Sequence, residues 1–357
     1  MQKKPDAFLI TNKSNIAYLS NFTGSSGFML LTKNLKYLFT DFRYIERAKN
    51  TIKKGINIVD VTKLWKNEET LKKSWHKILR KHKVKILGIE ESNLTLERFK
   101  KFKKISKIKS KKISFSNISG KIENQREIKS PTEISLIRRS QKINEKTFIL
   151  INKFIHLSLA QNRPITEMDI TWKIKEIGYS LGAEEVSFDP IVSFGKHTSM
   201  PHHLPDKTKL KKGDIILIDM GMKYKGYCSD MTRMIFTNSP TPEQKKIYNL
   251  VLKAQETAIK KIKAGITGKA ADSYSRNIII KAGYEENYGH AGGHGIGLDI
   301  HEIPSLSENY AKKLKENSII TVEPGIYLEG KFGIRIEDMV LVKKTGVENL
   351  TKIPKKI

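Results

Sequence analysis

At 357 residues, 38% hydrophobic and 29% charged, the chain has material for one large or two ordinary globular domains, which excludes a wholly disordered protein. Apolar runs such as "DIILIDM" are too short to span a bilayer, no secretory signal opens the chain, and the single cysteine, Cys228, precludes an intramolecular disulfide, so a cytoplasmic protein is expected. The net charge of +29 is read as a lysine-rich coding bias running through the whole chain, not as the footprint of a nucleic-acid partner.

In the N-terminal part, "DAFLITN", "GFMLLT" and "KYLFTD" read as strands, and a helix follows from "FRYIERAKN". A further buried strand is expected at "KVKILGIE", which makes residues 1–128 an α/β domain. The densest basic run, "RFKKFKKISKIKSKK" at 98–112, interleaves lysine with Phe and Ile, as a snorkelling surface segment does. No nucleic-acid module surrounds it.

The second domain, 129–357, opens on "SPTE": Ser130 as N-cap, Pro131 at the first helical position, and Glu133 closing a capping box. Ile134, Ile137, Ile143 and Phe148 give the following long helix an apolar face. The pattern then reads loop, hairpin, two helices, glycine-rich loop and final hairpin, an α+β class whose two helix-plus-hairpin halves hint at duplication.

Chemistry gathers in the two hairpins. In "KKGDIILIDMGMKYKGYCSDMTRMIF" (211–236) the turn centre is expected between Tyr224 and Lys225, which would set Asp219 directly opposite Asp230, with Cβ atoms about 5 Å apart. Two such carboxylates repel unless a proton or a cation lies between them, or unless a bulge separates them. In "IITVEPGIYLEGKFGIRIEDMVLV" (319–342), Glu323 and Glu337 are symmetric about Gly330 and are expected as cross-strand neighbours. The stretch "YGHAGGHGIGLDIHEIP" (288–304) adds His290, His294 and His301. Two Asp, two Glu and one His suffice for two divalent ions about 3.5–4 Å apart, and so oxygen-rich a set favours manganese, with cobalt or zinc as alternatives. "HAGGH" is no zincin motif, because it lacks the Glu of H-E-x-x-H and its glycines disfavour a helix.

"IDMG" with "GYCSDMTR", "GHGIGLDIHE", "VEPGIY" and "GIRIED" together resemble the pita-bread metallopeptidases, which include Xaa-Pro aminopeptidases, Xaa-Pro dipeptidases (prolidases) and methionine aminopeptidases. The resemblance implies a catalytic pita-bread domain at 129–357. It makes Asp219 a chelating ligand of one metal, Asp230 and Glu337 bridging ligands, and His294 and Glu323 ligands of the second. It further implies a hydrogen-bond donor beside the scissile carbonyl in His301, a pocket-lining role for His290, and a general base in Glu323. Pro201-His202, in "SFGKHTSMPHHLPDK", matches the proline-specific branch, with His202 stabilising an oxyanion or shuttling a proton. His197 and His203 match nothing in it and are expected as exposed loop residues; Arg335 would hold a bridging carboxylate, and Tyr327 would support the oxyanion or the substrate.

"YLSNFTGSSGFMLLT" and "LFTDFRYIERA" resemble the creatinase-type N-terminal domain, which methionine aminopeptidases lack and to which oligomerisation and capping of the cleft are ascribed. The implied function is hydrolysis of the bond between an N-terminal residue and a following proline, by attack of a metal-bridging hydroxide, in a homodimer acting on Xaa-Pro peptides. The rival readings are a methionine aminopeptidase-type enzyme and a non-catalytic, basic nucleic-acid or ribosome-binding relative.

Overall fold

Strand alternation in the N-terminal part decides which side chains meet which helices. The chain is described here from a computed structural model covering residues 4–62, 67–107 and 113–355. It divides into two units, Met1–Arg126 and Glu127–Ile357. In the first, the elements run Ala7–Ile10 (β1), Lys13–Ser20 (α1), Phe28–Thr32 (β2), Lys36–Thr40 (β3), Phe42–Thr51 (α2), Ile56–Asp60 (β4), Glu68–Lys81 (α3), Ile86–Ile89 (β5), Leu96–Ile105 (α4), Ser114–Asn117 (β6) and Glu123–Arg126 (α5). Among the described residues the strands form one mixed sheet in the order β4-β3-β2-β1-β5-β6.

Side chains of a strand point alternately to opposite faces. Leu9, Leu30 and Phe39 accordingly pack with Trp75 of α3 and Phe102 of α4, while Ile10, Met29 and Leu38 pack with Ile16 of α1 and Ala48 of α2. Each side chain so buried contributes about 1.5–3 kcal/mol. Of the basic run, 98–105 lies in α4, where Phe102 and Ile105 are buried and the lysines between them are exposed. Its residues 108–112 lie outside the described residues.

The second unit begins with Pro131–Ala160 (α6), and the Ser130–Glu133 capping box is present as expected. A helix the sequence pattern did not disclose follows, Glu167–Ser180 (α7), entered through a second box between Thr166 and Asp169. Aspartate stands there in place of the usual Glu or Gln, which hides the signal. Next come Glu185–Val186 (β7), Ile191–Phe194 (β8), a 3-10 helix at Gly195–Ser199, Ile215–Met220 (β9), Met222–Tyr224 (β10), Tyr227–Cys228 (β11) and Met231–Phe236 (β12). The remainder is Pro242–Lys261 (α8), Gly268–Lys281 (α9), a 3-10 helix at Glu285–Asn287, Gly293–Gly295 (β13), Glu302–Leu306 (β14), Ile319–Val322 (β15), Gly325–Leu328 (β16), Phe332–Arg335 (β17), Asp338–Lys343 (β18) and Gly346–Asn349 (β19).

Two sheets carry the chemistry, one ordered β12-β9-β8 and one ordered β14-β13-β15-β18-β19. Ile216, Ile218 and Met220 of β9 pack with residues of α6 and α7, whereas Ile215 and Leu217 pack with Ile247 and Val251 of α8. Ile320, Val322, Val340 and Val342 pack with Ala258 of α8 and Ala271 of α9. Each half thus runs helix pair first, sheet second.

Candidate active site and metal centre

Placement of Asp219 and Asp230 follows from the hairpin turn. Lys225 and Gly226 have φ of 47° and 80°, the pair of positive angles that a two-residue type I′ turn requires. Tyr224 therefore pairs with Tyr227 and Lys223 with Cys228. The turn centre lies one residue later than expected, and Thr232, not Asp230, stands opposite Asp219. The expected direct opposition is thus corrected: the two aspartates are diagonal neighbours on one face of the ladder. Both remain buried, at 8% and 4% exposure.

The other pair keeps the register that its symmetry anticipates. Val322 pairs with Asp338 and Gly325 with Arg335, so one register runs through both ladders and Glu323 falls opposite Glu337 at their junction.

His294 enters from β13 at a break in register. Its Nδ1 lies 3.0 Å from the Gly295 carbonyl oxygen. A carbonyl only accepts, so Nδ1 carries the proton and, in the neutral ring, Nε2 presents a lone pair. That Nε2 lies 3.3 Å from Glu323 Oε1 and 3.5 Å from Asp230 Oδ2. Thr321 Oγ1 accepts from the His294 amide at 3.0 Å and donates to Glu323 Oε1 at 3.0 Å.

A chain of donors supports this centre. Arg335 donates to Asp219 Oδ2 at 2.7 Å and to the Tyr327 hydroxyl at 2.7 Å, and that hydroxyl lies 2.9 Å from His290 Nε2. His290 Nδ1 donates to the Ala291 carbonyl, leaving Nε2 to accept from Tyr327. Arg335 therefore holds Asp219, and the expectation that it would grip a bridging carboxylate is corrected. The reason is position: strand β17 brings the guanidinium to Asp219, while Glu337 takes its bond from Thr232 Oγ1 at 2.7 Å. Thr232 and Thr321 were not anticipated as site residues. Thr321 was findable as a hydroxyl in an apolar strand two residues before Glu323, and Thr232 only once the turn is correctly centred.

Electrostatics make the cluster costly without a cation. Burial, then the neighbouring Asp219 and Glu323, pushes Asp230 well above the ordinary carboxylate range; burial, then Asp230 and Glu323, does the same to Glu337. Burial also raises Asp219, against the pull of Arg335. Buried Oδ1 atoms of both Asp219 and Asp230 have no hydrogen-bond partner. Asp230, His294 and Glu337 offer ligand atoms within 4.8 Å of one another. Carboxyl groups with orphaned oxygens, clustered with an imidazole lone pair, are the donor set of a divalent cation, and these residues fit one.

Two further histidines border the centre. The His301 ring stands edge-on to His294, centroids 4.4 Å apart. Burial, then His294, depresses its basicity, and His202 is close enough to add to that. His202 itself is exposed. His197 and His203 depart from expectation: His203 is buried, and both rings bond to Glu167, a carboxylate that the sequence reading did not single out.

Residues 135–344 match Metallopeptidase family M24, and residues 1–128 match the Creatinase/Prolidase N-terminal domain. An Xaa-Pro dipeptidase of Pyrococcus horikoshii is 34% identical over 353 residues, covering 99% of this chain and 94% of that protein. Among solved structures, an Xaa-Pro dipeptidase from Bacillus anthracis superposes with a TM-score of 0.90 at 36% identity, covering 99% of this chain and 94% of that one. An X-Pro aminopeptidase from Thermotoga maritima gives 0.87 at 36% identity, covering 99% and 97%. With two matched domains and full-length relatives, this chain, an α+β protein with a pita-bread catalytic domain, belongs to metallopeptidase family M24.

Proposed function

We propose that this chain is a metallo-exopeptidase that cleaves between an N-terminal residue and a following proline, as an Xaa-Pro aminopeptidase or dipeptidase. The observation that carries this reading is the cluster of buried Asp219, Asp230 and Glu337 with half-buried Glu323 beside His294, whose Nε2 faces Asp230 and Glu323. Asp219, Asp230, His294, Glu323 and Glu337 are the residues that would hold two divalent ions. A bound divalent pair, manganese by the oxygen-rich donor set, supplies Lewis acidity and lowers the pKa of water.

The remaining work falls to this chain's side chains. Glu323, partly exposed and held by Thr321, takes a proton from the attacking water and returns it to the proline nitrogen as the C–N bond breaks. His202 and His301 donate to the oxygen that gains charge. Tyr327, pushed up to about 12 by burial, stays protonated and keeps its bond to His290. A tertiary imide has no N–H to satisfy, so an apolar wall with histidine at its edge suits proline. The creatinase-type domain at 1–128 favours the proline-specific branch over a methionine aminopeptidase. Together with relatives named as Xaa-Pro dipeptidases and aminopeptidases, it supports Xaa-Pro peptides as substrates, and we assign to it the contacts of a homodimer. The single buried cysteine suits the cytoplasm, and among the described residues no helix is long and apolar enough to cross a membrane.

The test is manganese-reconstituted protein offered Ala-Pro, Ala-Pro-Ala and Met-Ala-Ala in parallel. Turnover of one or both proline peptides, with Met-Ala-Ala spared, is expected. Cleavage of Met-Ala-Ala alone would move the chain to the other branch, and no turnover of any peptide would overturn the enzyme reading.

A further inference from the structure

Glu167 gathers four donors onto one carboxylate. Its Oε1 accepts from the Phe194 amide at 2.8 Å and lies 2.9 Å from His197 Nδ1. Its Oε2 accepts from the Asp206 amide at 3.1 Å and lies 2.7 Å from His203 Nε2. The side chain is 0% exposed, and the two imidazole centroids are 4.3 Å apart.

Glu167, His197, His203 and Asp206 also bring ligand atoms within 4.8 Å of one another, so an ion is the first alternative to weigh. The geometry argues against one. Both imidazole nitrogens stand at N–H···O distances from a carboxylate that only accepts, so they present protons there and not lone pairs. Each oxygen of Glu167 is already served twice. His294 shows the opposite pattern, with a lone pair facing carboxylates and oxygens left over.

What the four bonds do is fasten both ends of the segment 194–206 to the first turn of α7. The middle is fastened from the other side. Arg335 donates to the Pro201 carbonyl at 3.4 Å, and the Gly333 amide donates to Thr198 Oγ1 at 2.9 Å. The approach there is so close that a Cβ on Gly333 would lie 2.2 Å from the Thr198 carbonyl oxygen. His203 closes the turn by donating its amide to the Met200 carbonyl at 3.1 Å. Exposed His202 thus stands between Pro201, tied through Arg335 to Asp219, and His203, tied to Glu167.

We infer that Glu167 and His203, with His197 beside them, are positioning residues that fix His202 against the carbonyl of the Xaa-Pro bond. This deepens the proposed function and rests on its reading of His202. A displacement of about 1 Å at such a donor costs up to about 100-fold in rate.

The experiment is a double-mutant cycle on full-length, manganese-reconstituted protein with Ala-Pro: wild type, His202→Ala, His203→Ala and the double variant. His203→Ala is expected to lower kcat about 10- to 100-fold, with KM changed less than about threefold and the ions bound per chain unchanged. On the His202→Ala background the same change should cost less than about threefold, because its route of action is already gone. His203→Gln, whose amide can still donate to Glu167, should recover most of the rate, and it stands in for His203→Ala should that variant misfold. Equal fold-losses on both backgrounds would overturn the positioning role and leave the peptidase reading intact. Loss of one bound ion with His203→Ala would overturn it in favour of a metal site. A fully active His202→Ala would overturn the inference together with the role given to His202, while absence of Ala-Pro turnover in wild type strikes the proposed function itself.

Discussion

His294 turns Nε2 toward Glu323 Oε1 at 3.3 Å while its Nδ1 is committed to a backbone carbonyl. The two facts together are informative. A histidine donating to a glutamate makes an ordinary polar contact; one presenting a lone pair to it makes a contact that only a proton or a cation relieves. Asp230 on the same nitrogen at 3.5 Å sharpens the conflict.

If cations relieve it, they bind the folded chain and not the unfolded one, and stability must rise with their concentration. At 100 times the dissociation constant the gain is about 2.7 kcal/mol per ion. Thermal unfolding of the protein stripped by chelator should therefore shift upward on adding manganese. Glu337→Ala removes a buried carboxylate of the cluster and should erase most of this shift along with peptide hydrolysis. A variant that keeps the whole manganese-dependent shift would remove Glu337 from the centre.

Arg335 serves Asp219, Tyr327 and Thr232 at once from a fixed fork. Lysine keeps the charge, but its compact ammonium lacks the extended planar fork that reaches these acceptors together. Losing a bond to a charged group costs about 1.5–3 kcal/mol, so Arg335→Lys should lower kcat/KM on Ala-Pro about 10- to 100-fold. Steady-state kinetics indistinguishable from wild type would show that one contact suffices.

Legibility in the sequence followed locality. Ser130, Pro131 and Glu133 write their helix start within four residues, and Gly330 marks the symmetry that pairs Glu323 with Glu337. The turn at Lys225-Gly226 was misplaced by one residue, because a lysine with positive φ carries no sequence signal, and that slip hid Thr232. The partners of Arg335 and the burial of His203 depend on contacts between distant segments, 116 residues apart for Arg335 with Asp219 and 36 for His203 with Glu167. Local pattern has no access to these.

Behind the site, Arg233 is 3% exposed at its side chain and donates to Asp338 Oδ1 at 2.7 Å and to the Glu337 carbonyl at 2.6 Å. Burial works to raise Asp338, yet Arg233 and Lys355 overcome it and hold the carboxyl below its usual range. Removing one partner of a buried pair leaves the other uncompensated, at about 3–5 kcal/mol. Arg233→Ala should lose that much in urea unfolding. A loss under about 1 kcal/mol would mean that Lys355 carries Asp338 unaided.

His290 supplies a pH dependence of definite sign. Burial lowers its basicity below the ordinary histidine value of 6.5, with Arg335 adding to the effect and Glu323 opposing it. Its Nδ1–H is spent on the Ala291 carbonyl and its Nε2 accepts from Tyr327, so a second proton has no acceptor unless Tyr327 turns away. The folded state therefore prefers the neutral ring more strongly than the unfolded chain does. For a depressed folded pKa, the stabilisation is present above the unfolded value and is lost as pH falls from about 6.5 through the folded pKa. The slope from this one group is at most about 1.4 kcal/mol per pH unit. Melting temperatures in excess chelator, from about pH 7.5 to about pH 5, should fall more steeply in wild type than in His290→Gln. Parallel curves would mean that His290 takes up its proton in the folded protein as readily as in the unfolded chain, and that the Tyr327–His290 bond does not constrain it.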